Sequence, residues 1–136
     1  MTDSSAGLHE SRDQLKPETI DRHRAVASIM EELEAVDWYD QRVDATGDPE
    51  LAAILAHNRD EEKEHAAMTL EWLRRHDPKL DEHLRTYLFT KGDILAIEAE
   101  AEHGGDEASG AAQARAKDGD GSLGIGSLRD APRMQR

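Results

Sequence analysis

The sequence contains no cysteine, so disulfide bonds and thiolate metal ligands are excluded. Aromatic residues make up only 4% of the 136 residues, whereas charged residues make up 35%. A chain of this composition and length cannot build a large hydrophobic core alone. We therefore expect one small domain that completes its core by association with other chains.

Long apolar segments are also missing. No apolar run approaches the roughly 18 residues that a transmembrane helix needs. The N-terminus lacks the apolar region of a signal peptide. We expect a soluble cytoplasmic protein with no membrane partner, free or enclosed within a cytoplasmic body.

Basic residues are far fewer than acidic residues. The formal net charge is −13, and residues 31–64 contain twelve acidic residues and three basic ones. Nucleic-acid binding requires basic patches, so this surface excludes nucleic acid as a partner. The same acidic surface favours cations.

Composition divides the chain into five segments. We expect a flexible N-terminal arm at 1–14, a helical domain at 15–103, a flexible Gly/Ala-rich linker at 104–121, an apolar peptide at 122–129 and a tail at 130–136. The predicted fold class is all-α. We expect a protomer of two antiparallel helices with a short C-terminal helix, and two such protomers should dimerise into a four-helix bundle.

The helix boundaries follow from capping and breaking residues. The first predicted helix runs from Pro17 to about Val43, and Asp48 caps a second that ends near Arg75. A short third helix is predicted at 81–88 and a further short one at 93–102.

Two helical stripes carry polar residues in the middle of otherwise apolar faces. At about 100° per residue, Glu32 is central on the first helix, and Glu62 and His65 are central on the second. Each side chain alone fits a solvated or hydrogen-bonded face, but their positions on two facing stripes favour a metal site. The stripes are Ala25, Ile29, Glu32, Val36, Tyr39 and Val43, and Leu51, Leu55, Asn58, Glu62, His65, Thr69 and Leu73.

Glu62 and His65 form a Glu-x-x-His step, whose side chains project from one helical face and can reach the same ion. Di-iron carboxylate bundles use two such steps and two further glutamates. This chain supplies one step and Glu32, which is half of the set. Two copies related by a two-fold axis would supply all of it. An oxygen-rich, sulfur-free set favours iron or manganese over structural zinc.

Tyr39 lies on the stripe of Glu32, seven residues further along the chain. Its hydroxyl could hydrogen-bond a ligand, contact a metal or donate an electron. Its ring could equally be a core aromatic whose hydroxyl reaches water.

A second face of the first helix carries Glu31, Glu34 and Trp38. Beside a symmetry axis, copies of the two glutamates would form a carboxylate ring that attracts cations. The alternative is an ordinary solvated acidic face.

On the second helix, His57, Glu61 and Glu64 recur at i, i+4 and i+7. They could bind a cation between subunits, although a solvated charged edge is the simpler interpretation. Calcium or other divalent cations are the candidate ligands of both additional sites.

At these residues the chain resembles the encapsulated ferritins. The resemblance is carried by 22–42, 57–66, 71–75 and 84–89, and it covers roughly residues 10–100. It implies a ring-shaped decamer of dimers with a di-iron ferroxidase centre at a dimer interface. The matching residues are Glu32, Glu62 and His65 as ligands with Tyr39 beside them, Glu31 and Glu34 near Trp38 as a cation uptake site, and His57, Glu61 and Glu64 as a secondary cation site.

Residues 122–129 resemble an encapsulin cargo-loading peptide. Ser122, Leu123, Ile125 and Leu128 would contact the encapsulin shell protein, with the aliphatic side chains in apolar pockets on its interior. The linker would supply reach, and many tethered copies would give avidity.

The function we expect is oxidation of Fe(II) by dioxygen at a di-iron centre shared by two subunits, for iron storage inside an encapsulin nanocompartment. Two alternatives stay open. One is a non-enzymatic acidic assembly that only binds metal, and the other is a di-iron cargo protein that consumes peroxide.

Overall fold

The computed structural model describes the backbone of residues 7–115 and the side chains of residues 7–105. Within these residues the chain forms a 3₁₀ turn at Arg12–Gln14 and four α-helices. The helices are α1 (Pro17–Ala45), α2 (Pro49–Arg75), α3 (Pro78–Tyr87) and α4 (Ile94–Arg115). The prediction of an all-α fold is confirmed. The 3₁₀ turn lies within the segment that was expected to be a flexible arm.

The connection between α1 and α2 is short, because Asp48 and Pro49 begin a new helix soon after α1 ends. The Asp48 carboxylate accepts hydrogen bonds from the backbone amides of Glu50 (2.9 Å) and Leu51 (3.4 Å). Pro49 occupies the first turn of α2, where its missing N–H costs nothing. The predicted cap at Asp48 is confirmed.

The third helix begins three residues earlier than predicted. Pro78 occupies the first turn of α3, and Asp77 caps this helix by accepting a 3.0 Å hydrogen bond from the Leu80 amide. The Asp-Pro pair therefore works here as it does at the start of α2. After Tyr87 the chain turns at Phe89, whose φ of 61° lies in the left-handed region.

α1 and α2 form an antiparallel helical hairpin. Near the turn, Asp40 of α1 forms a 2.9 Å ion pair with Arg59 of α2. Further from the turn, Glu32 of α1 lies beside His65 of α2. Residues near the C-terminal end of α1 thus contact residues near the N-terminal end of α2, and earlier residues of α1 contact later residues of α2. The two helices are therefore antiparallel, as predicted.

The hairpin buries little of its apolar surface. In the described part of the chain, the buried hydrophobic residues are Ala25, Ala66 and Leu73. Val26, Met30 and Leu33 recur at i, i+4 and i+7 on α1, yet each is at least 39% exposed. Exposed apolar surface of this kind marks an interaction site, which supports the expected association of chains. The dimeric four-helix bundle itself stays a prediction.

A network of ion pairs attaches α3 to α2. The Arg74 guanidinium donates to both carboxylate oxygens of Glu71, at 2.6 and 2.7 Å, and to the carboxylate of Asp81 on α3. Asp81 also accepts a 2.9 Å hydrogen bond from Arg85. Arg74 can hold two carboxylates at once because its fork of donors is planar and always charged.

The chain divides into two units at Thr90 and Lys91. The helical domain at 15–103 stays a prediction. In the second unit, Asp93 accepts a 2.9 Å hydrogen bond from the Ala96 amide at the start of α4.

The helix α4 extends well beyond residue 102. It continues through Gly104 to Arg115, into the segment that was expected to be a linker. Four alanines between 106 and 115 favour helix there, because alanine has the highest helix propensity. The peptide at 122–129 and the tail at 130–136 lie outside the described residues.

None of the helices in residues 7–115 combines the length and hydrophobicity that a membrane span requires.

Replacing Arg74 should loosen α3. In Arg74→Ala, Asp81 and Glu71 lose their shared partner, so backbone amides of α3 should exchange hydrogen several-fold faster while the centre of α2 is unaffected. Hydrogen exchange with mass spectrometry measures this. Arg75→Ala is the matched control, because Arg75 is 68% exposed and contacts Glu71 alone in this network. Equal exchange in both variants would contradict the role of Arg74.

The same network predicts a dependence of stability on pH. Hydrogen bonds from Arg74 and Arg75 lower the pKa of Glu71 from 4.5 to about 2. A carboxylate with a lowered pKa stabilises the fold fully above pH 4.5, and this contribution is lost as the pH falls to about 2. The difference in Tm between the wild type and Glu71→Gln should therefore be constant above pH 4.5 and shrink below it. A difference that persists unchanged at the lowest pH would refute the assignment.

Candidate metal centre

Three potential metal ligands meet where α1 faces α2. Glu32, Glu62 and His65 each offer a donor atom, and these atoms all lie within 4.8 Å of one another. Nδ1 of His65 is 3.2 Å from Oε2 of Glu62 and 3.9 Å from Oε2 of Glu32. Among the residues that the structure describes, these three side chains form the one cluster of acidic and histidine residues that could hold a metal ion.

The helices position these side chains in a simple way. Glu62 and His65 are one turn apart on α2, so both project from the same face. Glu32 reaches them from α1 because the hairpin is antiparallel. Arg59 fixes the relation of the two helices nearer the turn, since it donates to Asp40 at 2.9 Å.

The two carboxyl groups influence each other strongly. A hydrogen bond with Glu62, burial and the negative charge of Glu62 together raise the pKa of Glu32. The same hydrogen bond, with a second one from His65, lowers the pKa of Glu62. The contact thus shifts the pKa values of the two carboxyl groups in opposite directions. A metal cation bound between them would remove the repulsion between two ionised carboxylates.

The donor set suits an iron-type ion but does not complete its coordination. It contains two carboxylates and one imidazole and no sulfur, which matches the preferences of iron or manganese. Three residues are fewer than the roughly four to six ligands that such ions take. The side chains of Glu32, Glu62 and His65 are 27%, 25% and 49% exposed, so one side of the group is open to further ligands.

Tyr39 is on the same helix as Glu32 but outside this group. It lies seven residues further along α1, which corresponds to about 10 Å along the helix axis. The Tyr39 side chain is half-buried, and the Arg42 guanidinium lies 5.6 Å from the centre of its ring.

The structure does not bring the residues of the predicted uptake site to the centre. Glu31 and Glu34 are exposed on α1, and Trp38 is 49% exposed. Neither glutamate belongs to the group of ligands at Glu32. Their role as a cation uptake site stays a prediction.

The predicted secondary cation site is partly assembled. Nε2 of His57 lies 3.1 Å from Oε1 of Glu61 on the exposed side of α2. Glu64 instead lines a groove beside Met68 and Trp72. The structure therefore pairs two of the three residues, and cation binding there stays a prediction.

Sequence reasoning did not identify Arg42 or Arg59. The signal for Arg42 was its spacing, because an arginine three and four residues after two aromatic residues can place its guanidinium over both rings. The contact between Arg59 and Asp40 spans nineteen positions, and only the packing of α1 on α2 reveals it.

Comparison with known proteins agrees with this geometry. The EncFtn-like family model matches residues 7–91 of the chain. An encapsulated ferritin-like protein from Rhodospirillum rubrum is 65% identical over 136 residues, which cover all of this chain and 97% of that protein. An encapsulin nanocompartment cargo protein from Myxococcus xanthus is 41% identical over 58 residues, 43% of this chain and 45% of its own length.

A solved structure supports the fold. The crystal structure of a Nitrosomonas europaea protein is similar with a TM-score of 0.63 and 62% sequence identity, and the match covers 65% of this chain and 97% of that one. The family model spans more than half of the chain and includes the three side chains that converge between α1 and α2. The chain therefore belongs to the EncFtn-like family, the encapsulated ferritins.

Proposed function

We propose that the chain oxidises Fe(II) to Fe(III) with dioxygen at a di-iron centre formed by two subunits, for iron storage inside an encapsulin nanocompartment. The observation that supports this most strongly is the convergence of Glu32, Glu62 and His65 within 4.8 Å on an open face of the hairpin. The carboxylates attract Fe(II), and loss of an electron to give Fe(III) strengthens that attraction.

Two iron ions are needed to reduce one dioxygen molecule to hydrogen peroxide. Two Fe(II) ions each lose one electron, and dioxygen takes both electrons together with two protons to give hydrogen peroxide. A single iron supplies only half of these electrons. In our proposal, Glu32 and Glu62 bind and bridge the ions and the His65 imidazole occupies one terminal position on each.

A second copy of the chain would complete the centre. One copy offers two carboxylates and one imidazole, and a two-fold related copy would double this to the four glutamates and two histidines of di-iron bundles. The exposed apolar residues of α1 are available to cover such an interface. We extend this to the ring-shaped decamer of dimers that the family resemblance implies.

Two further cation sites belong to the proposal. Glu31 and Glu34, near Trp38, would attract iron or another divalent ion toward the centre, because exposed carboxylates raise the local cation concentration. His57, Glu61 and Glu64 would hold a second cation, for which the 3.1 Å contact between His57 and Glu61 provides a starting pair.

We also propose that the chain is a cargo of an encapsulin shell. The Rhodospirillum rubrum relative is described as encapsulated and the Myxococcus xanthus relative as an encapsulin nanocompartment cargo protein. The peptide at 122–129 would contact the shell protein through Ser122, Leu123, Ile125 and Leu128. The protein would then act inside a nanocompartment.

Replacing Glu32 should abolish rapid iron oxidation. Loss of an outer-shell partner already costs about 10- to 100-fold in metal affinity or activity, so loss of a ligand should lower the initial rate by at least about tenfold. The measurement is oxygen uptake and Fe(III) formation after addition of Fe(II) to the assembled fraction of Glu32→Ala. Asp44→Ala is the matched control, because Asp44 is an exposed acidic residue of α1 outside the proposed sites.

The same assay separates the alternative functions. Fast oxidation confined to assembled protein supports a centre shared by two chains. Metal binding without oxygen uptake would indicate an acidic metal-binding assembly. Faster turnover with hydrogen peroxide than with dioxygen would indicate a peroxide-consuming protein. Near-normal activity of Glu32→Ala would contradict the proposed site.

Deleting residues 122–129 should prevent loading into the shell and leave oxidation intact. The peptide would dock through a few aliphatic side chains, and the catalytic residues lie elsewhere in the chain. Co-expression with the encapsulin shell protein, followed by purification of the shell, measures loading. Retention of the truncated chain in the purified shell would refute this role.

A further inference from the structure

Arg42 differs from the other basic residues of the acidic segment 31–64. Arg59 pairs with Asp40 and Asp60, at 2.9 and 3.1 Å, and Lys63 pairs with Asp60 at 3.3 Å. In the described part of the chain, Arg42 forms no ion pair with a carboxylate. A guanidinium without such a partner in a strongly acidic segment needs another explanation.

The Arg42 guanidinium lies close to two aromatic rings. Its central carbon is 6.0 Å from the centre of the Trp38 ring and 5.6 Å from that of Tyr39, both within the range of cation–π attraction. Asp37, a nearby acidic residue of α1, instead accepts a 3.2 Å hydrogen bond from Gln41. The positive charge of Arg42 is thus directed at the rings.

We propose that Arg42 shields Trp38 and Tyr39 from one-electron oxidation. A ring that loses an electron becomes positive, and a guanidinium at this distance attracts the neutral ring but repels the oxidised one. Arg42 is thus a positioning residue that acts on the two rings through its charge.

The need for such a shield rests on the proposed function. Hydrogen peroxide made from dioxygen can react with another Fe(II), which gives Fe(III), hydroxide and a hydroxyl radical. The radical can take one electron from Trp38, which leaves an indole radical cation and hydroxide. It can also take one electron from Tyr39, which gives a tyrosine radical cation and hydroxide, and the cation then releases its phenolic proton to the hydroxide to leave a neutral tyrosyl radical and water. The half-exposed Trp38 ring lines an open pocket and is accessible to such oxidants.

The test uses the full chain, free of iron, and hexachloroiridate(IV) as a one-electron oxidant. The reagent is an anion, so Arg42 attracts it, and removal of the charge would slow its approach. If the rings are oxidised faster in a variant that lacks the Arg42 charge, electrostatic attraction of the oxidant therefore cannot be the cause. Peptide mass spectrometry would measure oxidised Trp38 relative to oxidised Trp72 in the same sample, and oxidised Tyr39 as a second readout.

In Arg42→Gln we expect the ratio of Trp38 to Trp72 oxidation to rise at least about twofold. Arg42→Lys keeps the charge and should stay close to the wild type. Lys79→Gln is the matched control, because it removes one charge from a side chain that is 71% exposed on α3, and it should change nothing. Glutamine is a good helix former, so Arg42→Gln should keep α1 folded, as circular dichroism would verify.

A second arm repeats the measurement during aerobic Fe(II) oxidation. A higher ratio in both arms supports the shield and its use during iron turnover. An unchanged ratio in the hexachloroiridate arm would overturn the inference. A higher ratio in that arm, with no iron-dependent oxygen uptake by the wild type, would keep the effect of Arg42 on the rings and contradict the ferroxidase proposal instead.

Discussion

The contact between the carboxyl groups of Glu32 and Glu62 is the interaction on which the rest of this structure depends. The antiparallel hairpin places the two carboxyl groups together, and their contact raises the pKa of Glu32 while it lowers that of Glu62. Two carboxyl groups in contact disfavour the state in which both are ionised, and a proton or a cation between them relieves this repulsion. The surrounding contacts preserve it, because Arg59 joins α2 to Asp40 of α1 and holds the helices in register. A metal site is the arrangement that makes use of this unfavourable pair.

A hairpin of two long helices has too little interior to bury its apolar side chains. Small residues dominate the buried set, and larger ones such as Met30 and Leu33 stay exposed along α1. The centre at Glu32 is likewise open on one side. In the proposed dimer, a second hairpin would cover the exposed apolar residues and also complete the set of ligands. Stability and chemistry would then both depend on association.

Particular residues show how far sequence reasoning reaches. The period of 3.6 placed Glu32, Glu62 and His65 on facing stripes, and the structure brings them together. Asp48 predicted a helix start because capping is a local interaction. Gly104 suggested the end of a helix, yet α4 continues past it, because a single glycine costs a helix only about 1 kcal/mol and alanines follow.

The sequence by itself determined α1 and α2, their antiparallel pairing and the three side chains at the centre, because each depends on periodicity or on capping and turn residues close together in the chain. Only the tertiary structure decided which charges meet between helices outside that centre. The pairing of Asp40 with Arg59, and of Arg74 with Asp81 on α3, depends on how one helix lies against another. The spacing of residues along one helix can be read from the sequence. Contacts between helices depend on packing distances that the sequence alone does not specify.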